Sequence, residues 1–200
     1  VLGGQPAVIK GRDRVTGVAL TNGAELPADI VIAGIGIAPE TTLAQQCGLK
    51  VDNGIVTDAQ CRTSDPHIFA IGDCAARPMA HYDNRITRLE SVHNAVEGAK
   101  IAAATIMGET HAVEAPWFWS DQYDIKLQIA GLSQGHDQTV LRGNPDSRSF
   151  SCLDLKNGIL IAVDAINCPK DFMQAKPLIA ARASVPVESL ANASIALKDL

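Results

Sequence analysis

The chain has 200 residues, 46% hydrophobic and 20% charged, which describes an ordinary globular protein long enough to bury a substantial core. A net charge of −5 and the absence of any basic run argue against nucleic acid as a partner. No apolar segment approaches the roughly 20 residues needed to span a bilayer, so no membrane span is expected.

The N-terminus, Val1-Leu-Gly-Gly, lacks a starting methionine, a basic region and an apolar core, so it does not read as a signal peptide. It reads as a chain entered partway through. The five cysteines (Cys47, Cys61, Cys74, Cys152, Cys168) are widely spaced and form no Cys-x-x-Cys pair. Neither a disulfide framework nor a zinc site is expected from them, and the five histidines show no ligand spacing. Reduced thiols in a cytoplasmic protein are the expectation, with no metal.

Val15 to Leu20 alternates apolar and polar positions, and Asn22-Gly23 then predicts a hairpin turning back through Ala24 to Pro27. Ile30-Val-Ile-Ala-Gly-Ile-Gly-Ile37 is a β-branched run that predicts a central strand covered on both faces. Gly34 and Gly36 close it. They begin a dinucleotide fingerprint but do not complete one, because Pro39 stands where the third glycine belongs. They remain compatible with a ligand approaching the backbone, and equally with a tight strand-to-helix turn. Pro39 opens a short helix through Cys47, which Gly48 stops. Asp52-Asn-Gly54 predicts a turn into Ile55-Val-Thr57.

Asp65-Pro66 predicts a further turn, and His67 to Ile71 a short strand buried on both faces. Gly72 lets the backbone approach a ligand at the strand's C-terminal end, and Asp73 presents a carboxylate there. In open α/β sheets that end is where ligands sit. Ala75 to Leu89 reads as an irregular connection. From Glu90 a helix runs to about Met107, with Val92, Ala95, Val96, Ala99, Ala103 and Ile106 on one stripe that should face the core. Ser91 or Asn94 can cap it, and Gly108 ends it. The start of that helix offers unpaired amides and a positive partial charge to any group that becomes anionic.

His111 to Pro116 reads as a linker. Trp117-Phe-Trp119 sets three aromatics in consecutive positions, and on a strand the two indoles would share one face with Phe118 opposite. Such residues serve core packing or a flat cofactor edge. Ile125 to Leu132 and Gln138 to Arg142 read as strands. Ser149 to Leu155 and Ile159 to Asn167 form a hairpin across Lys156-Asn-Gly158. Pro169 opens a helix through about Arg182, with a short helical turn near Glu188. The fold class is therefore α/β followed by α+β, the second part an antiparallel sheet with helices on one face. It contains no nucleophile paired with a base, so no catalytic side chain is assigned.

Three stretches together carry a resemblance. Ile68-Phe-Ala-Ile-Gly-Asp-Cys-Ala75, Arg88-Leu-Glu-Ser-Val-His-Asn-Ala95 and Pro116-Trp-Phe-Trp-Ser-Asp-Gln122 resemble FAD-dependent ferredoxin and rubredoxin reductases, in order and over nearly the whole chain. Ala28 to Pro39 looks like the strand and turn of their NAD domain. Neither of the family's Gly-x-Gly-x-x-Gly loops occurs, so the chain looks like the C-terminal part of such a reductase. His93 departs from the polar residue or proline expected there.

The resemblance implies Rossmann-like remnants followed by a C-terminal reductase domain. Residues 1–66 would be the end of the NAD(P)-binding domain, 67–113 the end of the FAD-binding domain, and 114–200 the α+β domain. It implies FAD and NAD(P)H as cofactors. It assigns Asp73 to the ribityl chain with Gly72 beside it at the cofactor, Ser91 and Val92 to the pyrimidine edge of the flavin, and Glu90 to the nicotinamide amide. Trp119 would lie beside the flavin ring, and Gly34 and Gly36 along the nucleotide's approach. It implies hydride transfer to flavin and then single electrons to a ferredoxin or rubredoxin of an oxygenase system. Relatives on the same scaffold remain open: an NADH oxidase, a nitrite-reductase flavin subunit or an apoptosis-inducing-factor-like protein. So does an isolated chain that is inactive, or that acts only as a packing and interaction module.

Overall fold

The computed structural model describes residues 2–200, in two compact units that divide between Ala38 and Pro39. In the first, strands β1 (Pro6–Lys10), β2 (Gly17–Leu20) and β3 (Glu25–Pro27) form an antiparallel sheet in the order β1-β2-β3. The β2–β3 hairpin is the one the Asn22-Gly23 pair predicts, with the Asn22 carboxamide oxygen accepting from the Ala24 amide at 3.0 Å.

The expected central strand at Ile30–Ile37 does not form. That run has no ladder partner among the described residues, and Ile32 and Ile35 are each 91% exposed. A strand buried on both faces needs neighbours on both sides and layers above and below, and this unit supplies neither.

The second unit opens with helix α1 (Thr42–Gln46), followed by Gly48 in the left-handed region at φ 71°, as its sequence asks. Strand β4 (Ile55–Val56) pairs in parallel with β5 (Ala75–Met79), and β5 pairs antiparallel with β6 (Arg85–Arg88). The stretch expected to be an irregular connection is therefore largely a hairpin. Pro78 is tolerated in β5 because β4 reaches only Ala75 and Ala76, which leaves the proline on an open edge. Asp83 and Asn84 both turn at positive φ, a conformation these short polar residues adopt more readily than most.

The strand expected at His67–Ile71 is reduced to one isolated bridge, between Arg62 and Phe69. Ala70 is buried, whereas Ile68 and Ile71 are each more than a third exposed. Helix α2 (Val92–Ile106) forms where expected, but with the opposite face inward. Asn94, Glu97, Gly98, Ile101 and Ala102 are buried, while Val92 is 63% and Ile106 67% exposed. The apolar stripe read from the sequence is the solvent face.

The remaining residues build a five-stranded antiparallel sheet in the order β7-β8-β11-β10-β9. Its strands are β7 (Trp117–Gln122), β8 (Ile125–Gly131), β9 (Gln138–Asn144), β10 (Ser149–Lys156) and β11 (Ile159–Ile166). The tight β10–β11 turn places Asn157 and Gly158 at φ 52° and 76°, the conformation an Asn-Gly pair supplies. Helices α3 (Pro169–Ala180) and α4 (Val187–Ala191) pack on this sheet. Leu153, Leu155, Leu160, Val163, Phe172, Ile179 and Leu190 form its core.

Arg142 on β9 is almost wholly buried there. Its guanidinium donates to the Asp171 carboxylate at 3.1 Å and to the carbonyls of Leu190, Asn192 and Ile195 at 3.1, 2.6 and 2.5 Å, tying the C-terminal segment to the sheet. Tyr82 joins the β5–β6 hairpin to the same sheet. Its hydroxyl donates to the Ile161 carbonyl and accepts from the Leu132 amide, both at 3.0 Å, and burial pushes its phenol above the ordinary tyrosine range.

Among the described residues no helix is long and apolar enough to cross a membrane, and no group of three or more His, Cys, Asp and Glu is placed to hold a metal ion.

Candidate functional site

Gly72, Asp73 and Cys74 form a single 3-10 turn that leads directly into β5. Gly72 takes φ 72°, the left-handed region in which a side chain is strained, and the turn swings the chain against the start of α2. A Cβ at Gly98, in the helix interior, would come within 3.2 Å of the Ile71 Cβ. The helix packs closely on Ile71 and Gly72 there, and a side chain at Gly98 would force Ile71 to give way by a few tenths of an ångström. Asn94 completes the junction. Its carboxamide donates to the Leu89 carbonyl at 2.8 Å and, more weakly, to that of Gly72 at 3.5 Å.

Ser91 caps α2, its hydroxyl accepting from the Asn94 amide at 3.1 Å, and the Ser91 carbonyl takes the Ala95 amide. The amides of Val92 and His93, in the first turn, find no partner among the described residues, as the geometry of a helix start requires. Their partial positive charge lies at the same junction as Gly72. The Asp73 carboxylate is exposed and makes no hydrogen bond among the described residues, while its carbonyl accepts from Arg88 at 3.0 Å. Arg88 also pairs with Glu90 at 2.7 Å, which fixes Glu90 just before the cap.

The third component comes from β7. Trp117 and Trp119 share a face of the strand, their rings 5.5 Å apart, as the alternation predicts. Trp117 also packs edge-on against Phe172 of the sheet core at 6.0 Å, while Trp119 remains partly exposed. His93 bridges helix and strand, its ring 5.1 Å from Trp117.

Six of the eight residues singled out from the sequence thus belong to one unit: Gly72, Asp73, Glu90, Ser91, Val92 and Trp119. The other two, Gly34 and Gly36, lie in the exposed run that ends the first unit, and a Cβ on either would meet nothing within 4 Å. Three residues that organise the junction were not singled out: Arg88, Asn94 as a brace rather than a cap, and Gly98. Gly98 carried a signal, since a glycine inside a helix costs about 1 kcal/mol against alanine and so suggests close packing.

The junction offers free amides at a helix start, an unpaired carboxylate on a glycine turn, and an indole at the rim. These suit a ligand that is polyhydroxylated along one stretch, able to carry negative charge at one edge, and flat. A flavin nucleotide has those properties, and the residues present fit it.

Residues 1–99 match the pyridine nucleotide-disulphide oxidoreductase family, and residues 117–200 match the reductase C-terminal domain. The chain belongs to the pyridine nucleotide-disulphide oxidoreductases, in the group that carries this C-terminal domain. It is 44% identical over 190 residues to the 5,5'-dehydrodivanillate O-demethylase ferredoxin reductase subunit of a Sphingobium species, covering 94% of this chain and 46% of that protein. It is 45% identical to putidaredoxin reductase CamA of Pseudomonas putida, again over 94% of this chain and 45% of the relative. The ferredoxin reductase for the CYP199A2 system from Rhodopseudomonas palustris superimposes with a TM-score of 0.91 at 42% identity, over 98% of this chain and 49% of that one. The chain spans about half the length of the relatives it matches.

Proposed function

We propose that the whole protein is an NAD(P)H-dependent flavoprotein reductase that delivers electrons through FAD to a ferredoxin or rubredoxin of an oxygenase system. The observation that carries this reading is the junction itself: the Gly72–Asp73 turn, the open amides at the start of α2 and the Trp117–Trp119 pair converge in one unit. The names of the relatives, ferredoxin reductase and putidaredoxin reductase, support it.

In this reading Asp73, on the Gly72 turn, accepts hydrogen bonds from the ribityl hydroxyls. Ser91 and Val92 present the helix start to the pyrimidine edge, where the dipole favours negative charge. Glu90, held by Arg88, faces the nicotinamide amide, and Trp119 shields one side of the flavin ring from water. Gly34 and Gly36 leave room for the nicotinamide nucleotide. Bound FAD would supply the conversion from a two-electron donor to one-electron acceptors, and the side chains here contribute positioning and electrostatics. Residues 1–66, 67–113 and 114–200 are then the C-terminal parts of the NAD(P)-binding and FAD-binding domains and the whole C-terminal domain. A cytoplasmic setting agrees with five free cysteines.

The test is to express the full-length protein and record its visible spectrum and its NADH-driven reduction of a [2Fe–2S] ferredoxin. A stoichiometric flavin band with ferredoxin reduction is expected. A colourless protein, or a flavoprotein that reduces oxygen or nitrite but no ferredoxin, would refute the proposal.

A further inference from the structure

His93 has no part in the proposed function, yet it sits at the centre of the junction. It occupies the first turn of α2 with its side chain only 9% exposed, and its Nδ1 is buried with no hydrogen-bond partner among the described residues. One face of its ring lies toward Trp117, centroid to centroid 5.1 Å at 39°, and Trp117 in turn lies 5.5 Å from Trp119 at 36°. Lys176 of α3 stands 5.2 Å from the centroid of the Trp117 ring.

A single carboxylate serves both basic groups. Glu114 Oε2 is 3.7 Å from His93 Nε2 and 3.7 Å from Lys176 Nζ. The charged groups bearing on His93 are Glu97 from its own helix, Glu114 from the connection to β7, and Lys176 from α3, while β7 adds the Trp117 ring and no charge. Burial holds the imidazole below the ordinary histidine range, against the pull of Glu97 and Glu114 and with the help of Lys176. A proton on His93 would place a second cation beside Lys176 and at the positive end of a helix. Glu97 offsets part of that, and a closer approach of Glu114 would offset more, at the expense of its contact with Lys176.

We propose that His93 is the positioning residue of the Trp117–Trp119 pair: neutral, it braces the indoles against the start of α2, and protonated, it draws Glu114 from Lys176 and loosens the stack. The bracing is read from this chain alone. Its consequence, an acid-sensitive placement of the indole beside the flavin, rests on the function proposed above.

The test follows tryptophan emission of the 200-residue chain from about pH 8 to about pH 5, the range in which histidine titrates. The wild type should lose emission with a midpoint below the ordinary histidine value, and His93→Gln should abolish that transition. Lys176→Met, which frees Glu114 without touching His93, should move the midpoint upward. A transition that persists in His93→Gln overturns the proposal, as does a midpoint that Lys176→Met leaves in place. Repeating the titration on the flavin-loaded full-length protein separates the two readings. A flavin absorption band that shifts with the indole signal supports both. A band that stays fixed while the indole signal moves refutes the placement of Trp119 beside flavin and leaves the bracing role supported.

Discussion

The sheet β7–β11 and helix α2 treat the same kinds of side chain in opposite ways. In the sheet, Leu153, Leu155, Leu160 and Val163 are fully buried, closed over by α3, α4 and the C-terminal turn that carries Leu197. On α2 the residues turned inward include Asn94, Glu97 and Gly98, while Val92, Val96 and Ile106 face outward. The sheet region supplies its own core. The helix uses its polar and small residues to grip the neighbouring turn and leaves an apolar face uncovered. Under the proposed function that face would be covered by the remainder of the flavin domain.

Substitutions can break or sharpen this contrast. The largest effect should come from Arg142→Ala, which removes the guanidinium that pairs with the Asp171 carboxylate and binds three carbonyls inside the sheet region. A loss of about 3–5 kcal/mol is expected, read from urea unfolding followed by far-UV circular dichroism. Leu160→Ala should cost about 2–5 kcal/mol in the same experiment, because its cavity lies in a core closed on every side.

A smaller effect, opposite in sign, is expected at Asp164. Burial, aided by Asp154, raises its carboxyl above the ordinary aspartate range. A folded-state pKa above the unfolded one means that the ionised group costs stability at neutral pH, and that this cost fades as the pH falls and the folded state takes up the proton first. Asp164→Asn should therefore stabilise at neutral pH, and the gain should shrink in acid. Urea midpoints at the two pH values check it, and a gain that grows in acid would contradict the assignment. Smallest of all should be Val96→Ser in the isolated chain, within about 0.5 kcal/mol of wild type. In the full-length protein the same change should destabilise clearly, and equal small effects in both would mean that nothing covers the α2 face.

The sequence was most legible where structure is local. The β2–β3 and β10–β11 turns, the Ser91 cap and the aromatic alternation of β7 follow from Asn-Gly chemistry, a hydroxyl at a helix start and the two-residue period of a strand. It misled where an element depends on what lies beside it. Ile30–Ile37 and His67–Ile71 read as covered strands because their composition is that of a parallel sheet, and in this chain they lack the flanking strands that would pair them. The same dependence inverted α2: its outward stripe has the better hydrophobic periodicity, while its inward face combines contacts of Asn94, Glu97 and Gly98 with a small cluster of Ile101 and Ala102 against Cys61. Glu97 shows why no periodicity could have flagged that face. It is buried so that one carboxylate oxygen can accept from the Glu114 amide and meet His111, each at 3.1 Å, pinning the connection to β7. Those partners lie 14 to 17 residues away and leave no local signature.

The claim that most needs testing is that the Gly72–Asp73 turn is one wall of a flavin site. The direct measurement is FAD affinity of the full-length protein with and without Asp73→Ala, by titrating the apoprotein and following flavin fluorescence. Loss of a charge-assisted hydrogen bond to a ribityl hydroxyl should weaken binding by about 1.5–3 kcal/mol, roughly ten- to a hundredfold. An Asp73→Ala protein that folds and binds FAD as tightly as wild type would contradict the account.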